Sequence, residues 1–271
     1  MPVTMNPHHD AVAPPAGSLQ GTVTLVVMTL NEVDGMRVIM PRIRRDWVDQ
    51  ILVVDGGSTD GTVEWARQNG YEVYVQQRNG IRHAYFEAWP LVRGEYVITF
   101  SPDGNSLPES IPALIGELKK GHDLVIASRY LPGAGSSDDD WLTAFGNWLF
   151  TRTLNVLYRA RYTDVMVMFR GYRKALIEEL DLLNDKAYEL PERLFGTVMS
   201  WEPLLSVRAA KARKRIAEIP APEPPRIGGT RKLQIWRWGA AYYLQFWLER
   251  LVWLGRKPPD AAVLRNKAKP N

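Results

Sequence analysis

The chain contains no cysteine, and it lacks the motifs of two common classes of nucleotide-binding protein. Without cysteine, neither a disulfide framework nor a thiolate metal site can form. No G-x-x-x-x-G-K-[ST] sequence is present, which excludes a phosphate-binding P-loop. No G-x-G-x-x-G follows the first apolar run, which excludes the dinucleotide fingerprint. Any nucleotide ligand must therefore be held by a different kind of loop.

The sequence also lacks an apolar run near its start and a strong charge of either sign. Its first twenty residues are rich in Pro and Ala, so we expect no signal peptide and a disordered leader over 1–21. Residues 257–271 are expected to form a disordered tail. The formal net charge is +4 and hydrophobic residues make up 45% of the chain, as in an ordinary soluble protein with one large buried core. The absence of cysteine fits a reducing cytoplasm, and no recognition motif points to nucleic acid.

Short apolar runs alternate with helical stretches along most of the chain. This alternation predicts an α/β fold with a mostly parallel sheet flanked by helices. The predicted strands cover 22–28, 50–54, 71–76, 95–100, 123–127 and 216–219. The predicted helices cover 33–45 with an interruption at Pro41, then 62–69, 81–92, 108–120, 141–158, 202–214 and 234–254.

Polar residues follow four of these strands, at Thr29–Glu32, Asp55–Ser58, Asp103–Asn105 and Ser128–Tyr130. Ligands of open α/β sheets bind outside the carboxyl ends of the strands, so these segments are expected to share one site. The stretch Asp55–Thr62 offers an acid for hydrogen bonds to a base or a ribose, and glycines for close backbone approach. Asp103 and Asn105 form a D-x-N pair whose oxygens suit Mg²⁺ or Mn²⁺, although such a pair is often only a turn.

Four segments, in this order and spacing, resemble the motifs of the family 2 glycosyltransferases of the GT-A (Rossmann-like) fold. They are VMTLNE at 27–32, DGGSTDGT at 55–62, SPDGN at 101–105 and SRY at 128–130. Within that family, the sequence is most similar to the transferases that pass a sugar to dolichyl or polyprenyl phosphate. The resemblance covers 22–233 and implies a UDP- or GDP-sugar donor, one divalent cation and inversion at the anomeric carbon.

The resemblance also implies a role for each matching residue. The nucleotide-sugar would be bound by Thr29, Asn31, Glu32, Asp55, Ser58, Asp60 and Asp103. The metal ligands would be Asp103 and Asn105, and the acceptor phosphate would meet Ser128, Arg129, Arg170, Arg226 and Lys232. Asp103, Arg129 and Asp164 would be the catalytic group. An alternative for Arg170 is a simple ion pair with Asp164.

Two positions depart from the family pattern. Ser101 stands where the metal motif has its first acid, and Met168 stands where a glycine precedes the F-R segment at Phe169. The loss of an acid beside the diphosphate would weaken metal affinity. These departures keep open a second interpretation, a catalytically weak scaffold protein that still binds nucleotide.

The stretch 234–256 is expected to form an amphipathic helix with four tryptophans at 236, 238, 247 and 253. The three charged residues within 234–254 argue against a transmembrane span. A Trp-rich helix suits the membrane interface, and a helix packed on the domain or in a dimer contact explains the pattern equally well.

The chemistry of the acceptor separates the remaining interpretations. A lipid phosphate arrives ionised and needs cations rather than a base, and the basic residues near this helix fit a polyprenyl phosphate at the cytoplasmic membrane face, bound peripherally. A saccharide or metabolite hydroxyl would instead need a general base, for which Asp164 and Glu202 are candidates.

Overall fold

The computed structural model describes residues 21–137, 141–227 and 235–252. The predicted leader, apart from Gly21, and the predicted tail lie outside the described residues. The strands are β1 (Val23–Thr29), β2 (Gln50–Asp55), β3 (Glu72–Val75), β4 (Tyr96–Phe100), β5 (Leu124–Ser128), β6 (Arg170–Arg173) and β7 (Ile216–Pro220). The helices are α1 (Val33–Ile39), α2 (Thr62–Gln68), α3 (Ile81–Ala88), α4 (Ile111–Lys119), α5 (Trp141–Tyr158), α6 (Lys174–Glu179), α7 (Lys186–Phe195), α8 (Glu202–Lys211) and α9 (Ile235–Val252).

The strands form one sheet in the order β3-β2-β1-β4-β6-β5-β7. All neighbouring pairs are parallel except the two that involve β6, which runs antiparallel between β4 and β5. The predicted mostly parallel sheet is therefore confirmed. The strand β6 was not predicted, because its sequence RGYR has neither the length nor the apolar pattern of a buried strand. The helix predicted over 33–45 ends at Ile39, next to a 3₁₀ turn that contains Pro41.

Helices cover both faces of the sheet, and the side chains of β1 alternate between the two cores. Val23, Leu25 and Val27 contribute to the core with α1, α2 and α4, while Val26 and Met28 face the core with α3 and α5–α9. This alternation is the ordinary two-residue period of a strand. The fully buried Trp201 lies in the second core, where its ring stacks on Tyr85 with 4.4 Å between centroids.

Helix α9 packs against α5, α7 and α8. Its buried residues include Ala241, Tyr242, Gln245 and Phe246, so the helix is part of the second core. Two polar residues of this helix face inward, since Gln245 is 1% exposed and Glu249 forms ion pairs with α8, whereas Arg237 is exposed. Other exposed positions carry Trp236, Trp247 and Leu251. The packed-helix interpretation is confirmed, while part of the apolar surface remains open to solvent.

The loop after β4 lies against the first turn of α1, and Gly35 permits this contact. A Cβ atom at Gly35 would lie 2.3 Å from the carbonyl oxygen of Pro102. A side chain there would push the loop that carries Asp103 away from α1.

We predict that Gly35→Ala lowers the free energy of unfolding by about 1–3 kcal/mol, because the added methyl group overpacks a rigid backbone contact. Gly116→Ala on α4 is the matched control, since its Cβ would meet no atom within 4 Å. The control should stabilise the protein by about 0.5–1 kcal/mol through helix propensity. Urea denaturation measures both, and equal effects would contradict the packing argument.

Candidate active site

The carboxyl ends of β1, β2 and β4 lie side by side at one edge of the sheet. Thr29 pairs in register with Asp55 on one side of β1, and Val27 pairs with Phe100 on the other. From β1 the strand order runs through β2 to β3 in one direction and to β4 in the other. This is a topological switch point, where open α/β sheets bind their ligands.

Asp55 organises the loop that follows β2. One carboxylate oxygen accepts hydrogen bonds from the backbone N–H groups of Gly57 and Ser58. The other accepts from the hydroxyls of Ser58 and Thr29, at 2.5 and 2.8 Å. The residue is fully buried, so its carboxylate supports the loop from below. Gly56, rather than Asp55, lines the cleft above it.

Asn31 joins the loop after β1 to the loop after β2. Its backbone N–H donates to the Ser58 hydroxyl at 2.7 Å, and its side-chain oxygen accepts from the Thr59 N–H at 2.8 Å. Asn31 adopts a left-handed conformation with φ of 54°, which asparagine tolerates better than most residues. The two loops therefore move as one unit.

Asp60 stabilises the joined loops after β1 and β2 from their exposed side. Its carboxylate accepts hydrogen bonds from the Val33 N–H and from both the N–H and the hydroxyl of Thr62. Partial burial would raise the pKa of Asp60, but these hydrogen bonds outweigh it and hold the pKa below its usual value. The Thr62 hydroxyl also accepts from the Glu32 N–H, which sets the start of α1.

A cleft of about 710 Å³ opens above these loops. It is large enough for a nucleoside with its phosphates. Its polar rim includes Thr29, Glu32, Gly56, Gln76 and Asn79. We call it the donor cleft.

Asp103 lies at the edge of the donor cleft and is paired with Arg226. The guanidinium of Arg226 lies 2.9 Å from Asp103 Oδ2 and 3.7 Å from Glu32 Oε1. The Asn105 N–H donates to the other Asp103 oxygen at 3.1 Å. The turn at Gly104 has φ of 93°, and a Cβ there would lie 2.7 Å from the Ile227 side chain, so the segment after β7 closes tightly over this loop. Within the described ranges, no group of three or more His, Asp or Glu side chains surrounds one point as a metal cage would.

A second cavity of about 380 Å³ adjoins the donor cleft. Most of its wall is apolar and includes Leu142, Phe150, Met166, Val167, Trp238 and Tyr242. Asp103, Arg129 and Arg226 supply charges to the same wall. We call it the apolar chamber. Ser101 and Met168, the two departures from the family pattern, line both the chamber and the donor cleft and so lie at their boundary.

Arg129 is held by two carboxylates. Its guanidinium forms a bidentate pair with Asp164, with N–O distances of 2.7 and 3.0 Å, and lies 3.3 Å from Glu223. Burial would lower the pKa of Arg129, but the two ion pairs raise it well above its usual value. Because Asp164 is fully buried and bonded to Arg129 through both carboxylate oxygens, it positions Arg129.

Two further predicted acceptor residues lie below the surface. Ser128 is fully buried, and its hydroxyl is 2.5 Å from that of Thr163. Arg170 is also fully buried and donates to the carbonyl oxygens of Val165, Val167 and Glu202 and to the Ser206 hydroxyl. The expectation that Arg170 meets a phosphate does not fit this placement, nor does the alternative ion pair with Asp164, whose partner is Arg129. Lys232 lies outside the described residues.

Glu202 faces the apolar chamber from the first turn of α8. It is 2% exposed, and its carboxylate accepts hydrogen bonds from the Tyr85 hydroxyl at 2.7 Å and from the Ser200 hydroxyl. Burial is the larger cause, and the neighbouring Glu202 carboxylate the smaller one, that raises the pKa of Tyr85 well above its usual value. Glu202 is therefore held in place by neutral donors.

Sequence reasoning missed Glu223 and the chamber residues Trp238 and Tyr242. Glu223 lies in the Pro-rich stretch after β7, and this stretch contains no recognisable motif. Glu223 contacts Arg129 because the stretch folds back over the end of the sheet. The aromatic residues belong to α9, whose inward face the helical pattern alone did not identify. The density of tryptophan in that helix was the available signal.

The fold and the two-part cleft at the switch point place the chain among the GT-A glycosyltransferases. The family model described as Glycosyl transferase family 2 matches residues 24–181, which is more than half of the chain. The chain belongs to this family, and it is a glycosyltransferase of the hexosyltransferase type.

Two relatives illustrate the similarity in sequence. The chain is 28% identical over 242 residues to the undecaprenyl-phosphate mannosyltransferase of Micrococcus luteus, covering 81% of this chain and 94% of the relative. It is 29% identical over 228 residues to the polyprenol monophosphomannose synthase of Mycolicibacterium smegmatis, covering 78% of this chain and 80% of the relative.

Solved structures show the same fold at lower sequence identity. One is the glucosyl-3-phosphoglycerate synthase of Mycobacterium tuberculosis, crystallised with Mn²⁺, UDP-glucose and phosphoglyceric acid. It matches with a TM-score of 0.57 and 20% identity over 89% of this chain and 81% of the other. This likeness supports the fold assignment.

We predict that Asp164→Ala lowers the free energy of unfolding by about 3–5 kcal/mol, because it removes the bidentate partner of a buried guanidinium. Arg129→Met/Asp164→Leu removes both charges and should recover much of that loss. Urea denaturation of Arg129→Met, of Asp164→Leu and of the double variant gives the coupling energy between the two side chains. A single variant as stable as the wild type would show that Glu223 alone suffices to balance Arg129.

Proposed function

We propose that the enzyme transfers a hexosyl group from a UDP- or GDP-sugar to a polyprenyl phosphate, with inversion at the anomeric carbon. The observation that carries the proposal is the junction of the donor cleft with the apolar chamber, whose wall contains Asp103 and Arg226. A phosphate oxygen of the acceptor would attack the sugar from the chamber as the nucleoside diphosphate departs on the cleft side. The names of the relatives, which act on undecaprenyl phosphate and polyprenol phosphate, agree with this assignment.

The donor would lie over the joined loops after β1 and β2. Thr29 and Glu32 line the cleft directly, while Asn31, Asp55, Ser58 and Asp60 hold the loops in shape. The backbone at Gly56 would then pass close to the nucleoside. A preorganised loop of this kind lowers the entropic cost of binding.

A divalent cation, Mg²⁺ or Mn²⁺, would be held by Asp103 with Asn105 and by phosphate oxygens of the donor. Cations of this type often bind through one or two protein carboxylates together with substrate phosphates, so a two-residue set is sufficient. When bound, the cation would stabilise negative charge on the departing diphosphate. Arg226 already balances Asp103 at 2.9 Å, and it would share that carboxylate or turn toward the phosphates.

The residues around the chamber favour a phosphate acceptor over a hydroxyl. A hydroxyl needs a general base, and Asp164 is closed by its two bonds to Arg129. Glu202 is the other carboxylate that the sequence suggested, and it accepts hydrogen bonds from Tyr85 and Ser200. An ionised phosphate needs only cations, and Arg226 and Arg129 both line the chamber.

A membrane-bound acceptor would meet the protein at the exposed faces of α5 and α9. Trp141 is 80% exposed and Trp236 is 77% exposed, at the ends of these helices that border the chamber. Phe145 and Trp148 continue the apolar surface along α5. Tryptophan prefers the headgroup level of a bilayer, so these residues would rest on the cytoplasmic membrane face. Among the helices of the described ranges, none is long and apolar enough to cross a membrane.

We predict that a nucleoside diphosphate raises the melting temperature in a metal-dependent manner. Thermal denaturation with UDP or GDP, each with and without Mn²⁺, identifies the base, since a ligand of the native state stabilises it by mass action. Asp103→Asn should abolish the metal-dependent part, whereas Asp34→Asn, an exposed acid on α1, should leave it intact. Transfer of labelled sugar to polyprenyl phosphate then tests turnover. Nucleotide binding with no transfer to any acceptor would favour the scaffold interpretation.

We predict that Trp141→Gln/Trp148→Gln/Trp236→Gln weakens binding to vesicles at least tenfold. Each indole that becomes buried in the bilayer contributes on the order of 1 kcal/mol to the free energy of binding. Val38→Gln, an exposed apolar residue on α1, is the control. Transfer to a short, water-soluble polyprenyl phosphate should survive the triple change. Equal sedimentation of the wild type and the triple variant with liposomes would contradict the membrane-facing surface.

A further inference from the structure

A separate cleft of about 770 Å³ lies at the opposite end of the molecule from the chamber. It is formed by the C-terminal ends of α5, α8 and α9 and by the start of β7. The same three helices border the chamber near their first turns, through residues such as Leu142, Glu202 and Trp238. Helix α5 alone has 18 residues, which corresponds to about 27 Å between the two ends. The two sites are therefore distinct.

Six basic side chains and two acidic ones line this cleft. The basic residues are Arg159, Arg161, Lys211, Arg213, Lys214 and Arg250. The excess of four positive charges equals the net charge of the whole chain, +4. We call this region the basic cleft.

The two acids of the basic cleft are already engaged. Glu249 on α9 pairs with Arg208 and Lys211 on α8, both at 2.8 Å. Glu218 accepts hydrogen bonds from the N–H and hydroxyl of Thr163. The four arginines donate no side-chain hydrogen bond to another residue of the described ranges. Within the described ranges, these four exposed arginines form no salt bridge with a carboxylate.

Two of these arginines occupy backbone positions that favour glycine. Arg159 follows α5 with φ of 53°, and Arg213 lies just beyond α8 with φ of 51°. Both helices close with the hydrogen bonds of a C-terminal αL turn, from Ala160 N–H to Asn155 O and from Lys214 N–H to Ala209 O. A side chain in this conformation is strained, yet both turns carry an arginine that lines the same cleft.

Stabilisation of helix ends does not account for this much charge. Each C-terminus carries the equivalent of about half a negative charge, so three helix ends balance roughly 1.5 positive charges. The sequence that follows α9 supplies no counter-charge either, because residues 253–271 contain five basic residues and one acid. An external anion would satisfy the remaining positive charge.

We propose that the basic cleft binds a phosphate-bearing anion, either the headgroup of an acidic lipid or a free phosphate compound. Arginine guanidinium groups suit phosphate oxygens in both charge and fork geometry. Burial lowers the pKa of Lys211, and the nearby Arg208 and Arg250 act in the same direction. A bound phosphate would reverse that effect. This site is independent of the proposed transferase chemistry.

The test compares the full-length wild type with Arg159→Gly/Arg213→Gly. Both changes place glycine at αL positions, so the melting temperature should stay the same or rise while two charges leave the cleft. Arg226→Ala is introduced in both proteins to remove phosphate binding at the donor cleft. Arg37→Ala/Arg67→Ala, which removes two exposed arginines from α1 and α2, controls for net charge.

Titration calorimetry with inorganic pyrophosphate forms the first arm, and sedimentation with phosphatidylglycerol or phosphatidylcholine vesicles forms the second. A free phosphate ligand predicts pyrophosphate binding that falls at least tenfold in Arg159→Gly/Arg213→Gly and not in the control. A lipid headgroup predicts the same fall for phosphatidylglycerol vesicles, with phosphatidylcholine binding unchanged. If the glycine variant and the control match the wild type in both arms, the proposal is overturned. The sugar-transfer assay is run with Arg226 intact, and in it Arg159→Gly/Arg213→Gly should match the wild type.

Discussion

The ion pair between Arg129 and Asp164 holds together three segments that the active site needs. Arg129 follows β5, Asp164 precedes β6, and Glu223 follows β7, so one guanidinium joins these three segments. A buried charge is costly unless it is paired, and the bidentate geometry satisfies most of its donors. The wall of the apolar chamber therefore contains a guanidinium whose charge is balanced by carboxylates.

The structure shows where Ser101 and Met168 lie relative to the two cavities. Both depart from the family pattern, and both lie where the donor cleft and the apolar chamber meet. A serine at 101 leaves fewer negative charges beside the diphosphate, and Arg226 balances the remaining Asp103. In the proposed reaction, Asp103 would hold a cation together with substrate phosphates, and Arg226 would stabilise part of the phosphate charge.

The residues of helix α9 must satisfy two structural requirements at once. Its inward face must pack on α5, α7 and α8 and also supply Trp238 and Tyr242 to the chamber. Its far end is fixed by Glu249, which is paired with Arg208 and Lys211, and these bonds lower the pKa of Glu249 although burial alone would raise it. With Gln245 and Glu249 turned inward, Trp236, Trp247 and Leu251 share the exposed positions of the helix with Arg237 and Arg250. This arrangement explains why a helix of a globular domain exposes Trp236 and Trp247.

Much of the fold was predictable because it depends on local signals. Apolar runs of four to seven residues alternating with helical stretches identify a parallel sheet, and the ends of those runs identify its ligand-binding edge. The motifs around Asn31, Asp55 and Asp103 follow strands whose carboxyl ends meet at one edge of the sheet. Strand β6 was not predictable in this way, because its stability comes from pairing with β4 and β5 rather than from its own four residues.

The sequence by itself determined the fold class, the family and the edge of the sheet that carries the site. Only the tertiary structure decided which of the candidate polar and charged side chains face the donor cleft or the apolar chamber. Asp55, Ser128 and Arg170 were expected to touch ligands and instead lie beneath the surface, where backbone groups and neighbouring hydroxyls satisfy them. Glu223 and the basic cleft arise from segments far apart in the chain. The physical reason is that burial and charge pairing depend on long-range contacts, whereas strand ends and turns are set by neighbouring residues.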